Sequence, residues 1–270
     1  MMAVAIDLSG RVVLVCGAGG GIGQSVTRLM ANAGATVVAI DHTQAFVDRA
    51  VADVESRGAI GMGIVADVRQ RAQTNGLVPQ VLERFGRIDG LVNVAGGTVQ
   101  DQWREIERTP DDMVEQVMRF NFGYSFSLCR EAARAMIDAR TAGAIVNITS
   151  ISGLVTAPYH AVYGAAKAAL ATATRTMALE WARHGIRVNS VAPGAVETER
   201  VLAQVGYERP DETWGRSVTQ PEEIANGCLF LLSDLASGIT GQNLVIDVGA
   251  TIDYAVGGVA GMARKIFDAG

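Results

Sequence analysis

The sequence is poor in the residue types that mark several large classes of protein. Among its 270 residues there are three cysteines, Cys16, Cys129 and Cys228. The number is odd, the spacing suits no metal, and each lies in an apolar run where a small buried thiol packs well. A disulfide scaffold is therefore excluded, and core packing is expected of all three. There are only three histidines, and no cluster of His, Cys, Asp and Glu has ligand spacing, so no metal is expected. Lys and Arg total 23 against 28 Asp and Glu, a net charge of −5. No basic stripe is available to neutralise phosphates along a duplex, and nucleic acid is not an expected partner. No uninterrupted apolar stretch is long enough to cross a bilayer. Residues 1–10 contain Asp7 and do not pair a basic segment with a long apolar one, so they do not read as a signal peptide. The expectation is a soluble cytoplasmic protein without internal repeats.

What is present suits a compact α/β enzyme: 49% hydrophobic residues, 19% charged, and 31 glycines. The length fits one large core, so residues 1–270 are read as a single domain. Short runs rich in Val and Ile recur at 12–15, 36–40, 63–65, 90–94, 144–148, 186–191 and 244–248. They are continuously apolar rather than alternating, as in strands of a parallel sheet covered on both faces. The intervening segments supply the covering helices, beginning at 24–33, where Gly34 stands at the stop; Gly58, Gly86 and Gly185 are similar stops. This β-α alternation predicts a Rossmann-like doubly wound parallel sheet, with ligands bound beyond the carboxyl ends of its strands. The least regular stretch, 194–219, contains Tyr207, Pro210 and Trp214 and is read as a substrate lid.

The run from Cys16 to Gly23 follows the first strand and precedes the first helix. Its glycines, among them Gly17, Gly21 and Gly23, allow a tight turn and close approach to a pyrophosphate, which the helix-start N–H groups stabilise. A glycine triad alone is a weak signal, but Asp41 stands at the end of the second strand. A carboxylate there can accept from both ribose hydroxyls of an adenosine and repels a 2′-phosphate, which favours NAD over NADP. An ordinary helix cap or surface acid is the alternative for Asp41. His42 is read as a surface residue.

From Gly10 to about Gly249 the sequence resembles the short-chain dehydrogenase/reductase family. The motifs that carry the resemblance are Gly17-x-x-x-Gly21-Ile22-Gly23, with Cys16 where threonine is usual; Asp67-Val68; Asn93-Val94-Ala95-Gly96, with valine in its second place; and Asn121, Ser150 and Tyr163-x-x-x-Lys167. Pro193-Gly194-x-Val196-x-Thr198 completes the set. The resemblance implies that Asn121, Ser150, Tyr163 and Lys167 form a catalytic tetrad. It also implies that Asp67 and Val68 meet adenine, that the 93–96 and 193–198 segments contact the cofactor, and that Lys167 holds the nicotinamide ribose. Tyr163 and Lys167 thus serve both sets.

The chemistry follows from the residue types. Oxidising a secondary alcohol requires loss of the hydroxyl proton as hydride leaves carbon, and a phenol with an ordinary pKa of about 10 is protonated near neutrality. Lys167, one helical turn from Tyr163, favours the phenolate. Ser150, just past a strand end, can hold the substrate oxygen, and Asn121 is expected to support a water linking Lys167 to solvent. His160 is read as either a pocket residue or a hydrogen-bonded structural histidine.

The expected reaction is hydride transfer between NAD(H) and a small or medium hydrophobic secondary alcohol or ketone. An NADPH-dependent 3-oxoacyl-thioester reductase and a non-catalytic nucleotide-binding protein are the alternatives. A homotetramer is expected through helices spanning 121–136 and 163–183, with Ala165, Ala166, Ala168, Ala169, Ala171 and Ala173 as a small-residue surface and Leu170, Met177 and Trp181 as apolar area. The tail after Gly249, with Tyr254, Val256, Val259, Met262, Ile266 and Phe267, is expected to pack locally or to cover an active site.

Overall fold

The computed structural model describes residues 6–202 and 218–252. Tyr207, Pro210 and Trp214 of the expected lid, and the tail from Tyr254 onward, lie outside the described residues.

The strands are β1 (Val12–Cys16), β2 (Thr36–Asp41), β3 (Gly61–Val65), β4 (Gly90–Asn93), β5 (Gly143–Ile148), β6 (Ile186–Pro193) and β7 (Asn243–Ile246). They form one seven-stranded sheet in the order β3-β2-β1-β4-β5-β6-β7, parallel throughout. Each apolar run of the sequence lies in one strand, with ends that differ by a residue or two.

The period of two assigns each strand side chain to a face. Val13 and Val15 of β1 enter one core, and Val12, Leu14 and Cys16 the other. On the first face the helices are α1 (Gly21–Asn32), α2 (Gln44–Glu55) and α9 (Pro221–Leu232), which bring Met30, Val54 and Leu231. On the second, the short α3 (Arg71–Asn75) leads into α4 (Leu77–Phe85). There α6 (Tyr124–Asp138) and α7 (Ala161–Trp181) bring Leu128, Met136 and Met177 against Leu14, Leu91 and Ile145. Two lesser helices, α5 (Asp111–Met118) and α8 (Glu199–Leu202), lie in the connections.

The expected stops hold: Gly34, Gly58, Gly86 and Gly185 all adopt positive φ, between 71° and 85°, a conformation that costs glycine little. The edge strands depart from the fully buried pattern. Val65 of β3 is 44% exposed, and Leu244 and Val245 of β7 are 37% and 38% exposed. Each edge strand has a neighbour on one side only, and its continuous apolar sequence overstates its burial within the chain.

Because β1 pairs with β2 on one side and β4 on the other, the connections leave in opposite directions above β1 and β4. The crevice at that divergence is where an open parallel sheet receives its ligand.

Candidate active site

The glycine turn lies at this crevice. Gly17 has φ of 90°, and a Cβ there would stand 2.6 Å from the Ala95 main-chain nitrogen; one on Gly23 would stand 1.8 Å from the Gly17 carbonyl oxygen. No side chain fits either position, so the turn from β1 into α1 brings bare backbone up to the cleft. Among the first amides of α1, that of Gly23 donates to Gly20 O at 3.0 Å, and those of Gly21 and Ile22 before it are donors that a helix start leaves without an intrahelical partner. Gly17 and Ala18 donate to Ile40 O at 2.8 and 3.0 Å, fastening the turn to β2.

Asp41 is 9% exposed and is neither a helix cap nor a surface acid. Its Oδ2 accepts from the Gly19 N–H at 3.0 Å and its Oδ1 from the His42 N–H at 2.8 Å, with the His42 ring Nδ1 also 2.8 Å from Oδ1. The carboxylate therefore braces the glycine turn and retains acceptor capacity toward the cleft. Arg49, whose guanidinium lies 5.1 Å from the Phe46 ring centroid, donates to the Gly19 carbonyl.

A cleft of about 200 Å³ is lined by Gly17, Asp41, Asp67, Val68, Ala95 and Gly96 together with Phe120. Asp67 is held by Arg69, whose Nε and Nη2 lie 2.8 and 2.9 Å from its two oxygens. These hydrogen bonds keep its carboxyl below the usual carboxylate range. Asn93 was expected among the cofactor contacts, but it lies beneath the cleft. It is 1% exposed and donates to Asn147 Oδ1 at 2.8 Å and to Cys129 Sγ at 3.2 Å, tying β4 to β5 and α6. Pro193 ends β6, and beyond it the 194–198 segment crosses over the turn. Thr198 comes close enough that a Cβ on Gly21 would meet its Cγ2 at 2.8 Å, and Val196 bridges to Thr219. Ile22 packs its half-buried side chain on the first core.

The four expected catalytic residues converge at the carboxyl ends of β4 and β5. Ser150 follows β5 in extended conformation, its Oγ accepting from the Ser152 N–H at 3.1 Å. The short turn after it is pressed onto α7. A Cβ on Gly153 would lie 2.7 Å from Ala168 N, and one on Gly164 2.6 Å from Ser152 O. Gly164, immediately after Tyr163, lets the Ser150 turn approach the tyrosine. Lys167 is 2% exposed and donates to Ile148 O at 2.9 Å. Its Nζ lies 5.7 Å from the Tyr163 ring centroid. A buried ammonium held by a strand-end carbonyl is fixed relative to the phenol one helical turn away.

Asn121 sits in a single π turn, Arg119–Gly123, between α5 and α6. Its Oδ1 accepts from the Gly97 N–H at 2.7 Å, and its Nδ2 donates to Gly97 O at 3.0 Å and Val117 O at 3.1 Å. The amide expected to support a water thus holds the loop after β4. A Cβ on Gly96 would lie 3.0 Å from both Asn121 Oδ1 and Lys167 Nζ.

Sequence reasoning passed over several residues of this region. Tyr124 donates to Ala95 O at 2.6 Å, and burial holds its phenol far above the usual range. Thr98 faces His160 Nε2 at 3.3 Å, and the Trp103 ring lies 3.8 Å from the imidazole, centroid to centroid. Gly153 and Gly164 carried a signal, as small residues flanking the serine and tyrosine. The sequence expects the 96–103 loop to line the substrate pocket, but the contacts of Thr98 and Trp103 with His160, about sixty residues away along the chain, carry no local signal.

A family model described as enoyl-(acyl carrier protein) reductase matches residues 17–251. Galactitol 2-dehydrogenase (L-tagatose-forming) of Cereibacter sphaeroides is 40% identical over 255 residues, covering 91% of this chain and 96% of that protein. The NAD-dependent glycerol dehydrogenase of Listeria innocua is 32% identical over 250 residues, covering 91% and 96%. Among solved structures, a short-chain type dehydrogenase/reductase from Mycobacterium marinum superposes with a TM-score of 0.84 at 33% identity, covering 91% of this chain and 97% of that one.

Proposed function

The chain belongs to the short-chain dehydrogenase/reductase family, and within it we propose an NAD-dependent dehydrogenase that oxidises a small or medium secondary alcohol and reduces the corresponding ketone. The observation that carries this reading is Lys167, buried at 2% exposure and held on Ile148 O one helical turn from Tyr163.

Tyr163 is the acid/base group: it takes the hydroxyl proton in oxidation and returns it in reduction. The Lys167 charge favours its phenolate. Ser150, whose Oγ lies just past β5, donates to the substrate oxygen and steadies the charge that develops there. Asn121 holds the 96–97 loop against Lys167.

The glycine cradle, the α1 amides and Asp41 fit a dinucleotide: at Gly17 and Gly23 a side chain would collide with Ala95 and with the Gly17 carbonyl, so glycine lets the turn close tightly enough for its backbone to meet a pyrophosphate, and Asp41 suits an adenosine ribose. NAD, when bound, supplies the hydride acceptor. Asp41 repels a 2′-phosphate, and the Listeria relative, named as NAD-dependent, supports the same preference. Val99 and Trp103 in the segment after β4, and Leu154 and Val155 in the segment after β5, are exposed apolar side chains, which suits an apolar substrate.

The test is kcat/KM with NAD and NADP across a panel of secondary alcohols and ketones. Turnover with NAD preferred supports the reading, and cofactor binding without turnover of any compound refutes it.

The proposal includes a homotetramer. Leu170, Ala166 and Ala171 are buried in their own core rather than offered to a partner. An apolar groove remains between α6 and α7, lined by Phe126, Ala168, Ala169, Ala173 and Trp181, and it suits close helix packing.

A further inference from the structure

We propose that His160 and Thr98 recognise a second oxygen beside the reacting carbon, so that the substrate is a vicinal diol or its α-hydroxyketone. The inference deepens the dehydrogenase reading and rests on Tyr163 handling the reacting hydroxyl.

His160 is the residue immediately before α7, and its ring lies 5.6 Å from that of Tyr163, centroid to centroid, inclined at 58°. The two rings are thus adjacent. A substrate oxygen engaged by the phenol leaves the oxygen on the next carbon for the imidazole or for Thr98.

The surroundings of His160 differ from those of His42. His42 lies on a carboxylate, Nδ1 to Asp41 Oδ1 at 2.8 Å. The His160 ring has one hydrogen-bonding neighbour among the described residues, Thr98 Oγ1, 3.3 Å from Nε2. The Trp103 ring meets it edge-on at 3.8 Å, and burial lowers its pKa from 6.5. A neutral imidazole keeps one donor and one acceptor. The second hydroxyl is unchanged by the reaction, so the same pair of groups serves both the diol and the hydroxyketone.

The pair is also registered to the chemistry. Thr98 directly follows Gly97, which Asn121 holds from both sides. The Arg104 N–H donates to Tyr159 O at 3.0 Å, joining the loop that carries Thr98 and Trp103 to the residue before His160. Among the exposed apolar side chains of the segments after β4 and β5, Val99, Trp103, Leu154 and Val155, one polar pair beside the tyrosine orients a ligand; a few placed polar groups in an apolar pocket set specificity in this way.

The test compares kcat/KM for 2,3-butanediol with 2-butanol, and for 1,2-cyclohexanediol with cyclohexanol, using NAD and NADP in turn. The wild type is expected to prefer each diol by about tenfold or more, since a site built to bond a hydroxyl discriminates against its absence. His160→Phe keeps a ring against Trp103. It should abolish the preference mainly through KM, leaving mono-alcohol turnover within about twofold and the melting temperature unchanged, while His160→Gln should restore much of it. Equal turnover of diol and mono-alcohol by the wild type, or equal losses on both in His160→Phe, overturns the proposal and leaves the dehydrogenase reading intact. Turnover of none of the four compounds nor of their ketones overturns both.

Discussion

The Asn121 amide grips Gly97 from both sides, its Oδ1 2.7 Å from the Gly97 nitrogen and its Nδ2 3.0 Å from the Gly97 carbonyl oxygen. The grip depends on the π turn at Arg119–Gly123, which sets a fully buried side chain facing the loop after β4. Asn121→Ala leaves buried backbone groups unpaired, each worth about 1–3 kcal/mol. Urea denaturation should show a lower midpoint and kcat should fall, because the 96–97 loop packs against Lys167. A variant with wild-type stability and turnover would contradict this account.

Tyr163→Phe should lower kcat by about 10²-fold or more while NAD affinity stays near wild type, since it removes only the hydroxyl proposed as the acid/base group. Lys167→Ala should weaken both turnover and NAD binding. Calorimetric titration of NAD beside steady-state kinetics separates the two effects, and near-normal turnover by the Phe variant would remove Tyr163 from the chemistry.

Asp41 braces the glycine turn and is proposed to set cofactor choice, so the two need separating. Asp41→Asn keeps an oxygen that can accept from the Gly19 N–H, now 3.0 Å from Oδ2, and removes the charge. It should narrow the NAD/NADP gap in kcat/KM with little loss of stability, whereas Asp41→Ala should narrow the gap and also lower the melting temperature. A wild-type preference for NADP would refute the assignment.

All three cysteines are buried and free, and burial pushes Cys129 and Cys228 up from 9.0 to about 12 and Cys16 higher still. The native protein should therefore resist a thiol reagent at pH 8 and take up three equivalents once denatured. A raised folded-state value means that the unfolded chain loses these protons first. The stabilisation is complete below pH 9 and declines as pH rises from there toward about 12, so the urea midpoint should drop between pH 8 and pH 10. Rapid labelling of the folded protein would contradict the packing.

Light scattering at micromolar concentration should return the mass of a tetramer. Phe126→Glu, in the groove between α6 and α7, should reduce the mass without unfolding the subunit. A stable wild-type monomer would end the assembly proposal.

The strand runs, the glycine stops and the one-turn spacing of Tyr163 and Lys167 were legible along the chain because each depends on local physics, whereas Ser150 was singled out beside them by the family resemblance. Continuous apolar runs mean strands covered on both faces, positive φ calls for glycine, and four residues make one helical turn. Asp41 was legible for the same reason, as the acid at the end of a strand that follows a glycine turn. Other features arise from distant segments meeting in space, and no local pattern announces them. Whether an apolar run lies at the sheet edge, as β3 and β7 do, depends on strand order. Asn93 turned inward because its side chain meets Asn147 and Cys129, 54 and 36 residues away. Leu170 and Met177 turned to their own core because α7 packs on β6 and α6, while Asn121 reached Gly97 only through a π turn that helical periodicity does not forecast. His160 owes its neighbours Thr98 and Trp103 to two loops brought together above adjacent strands, a contact set by the folded chain rather than by spacing.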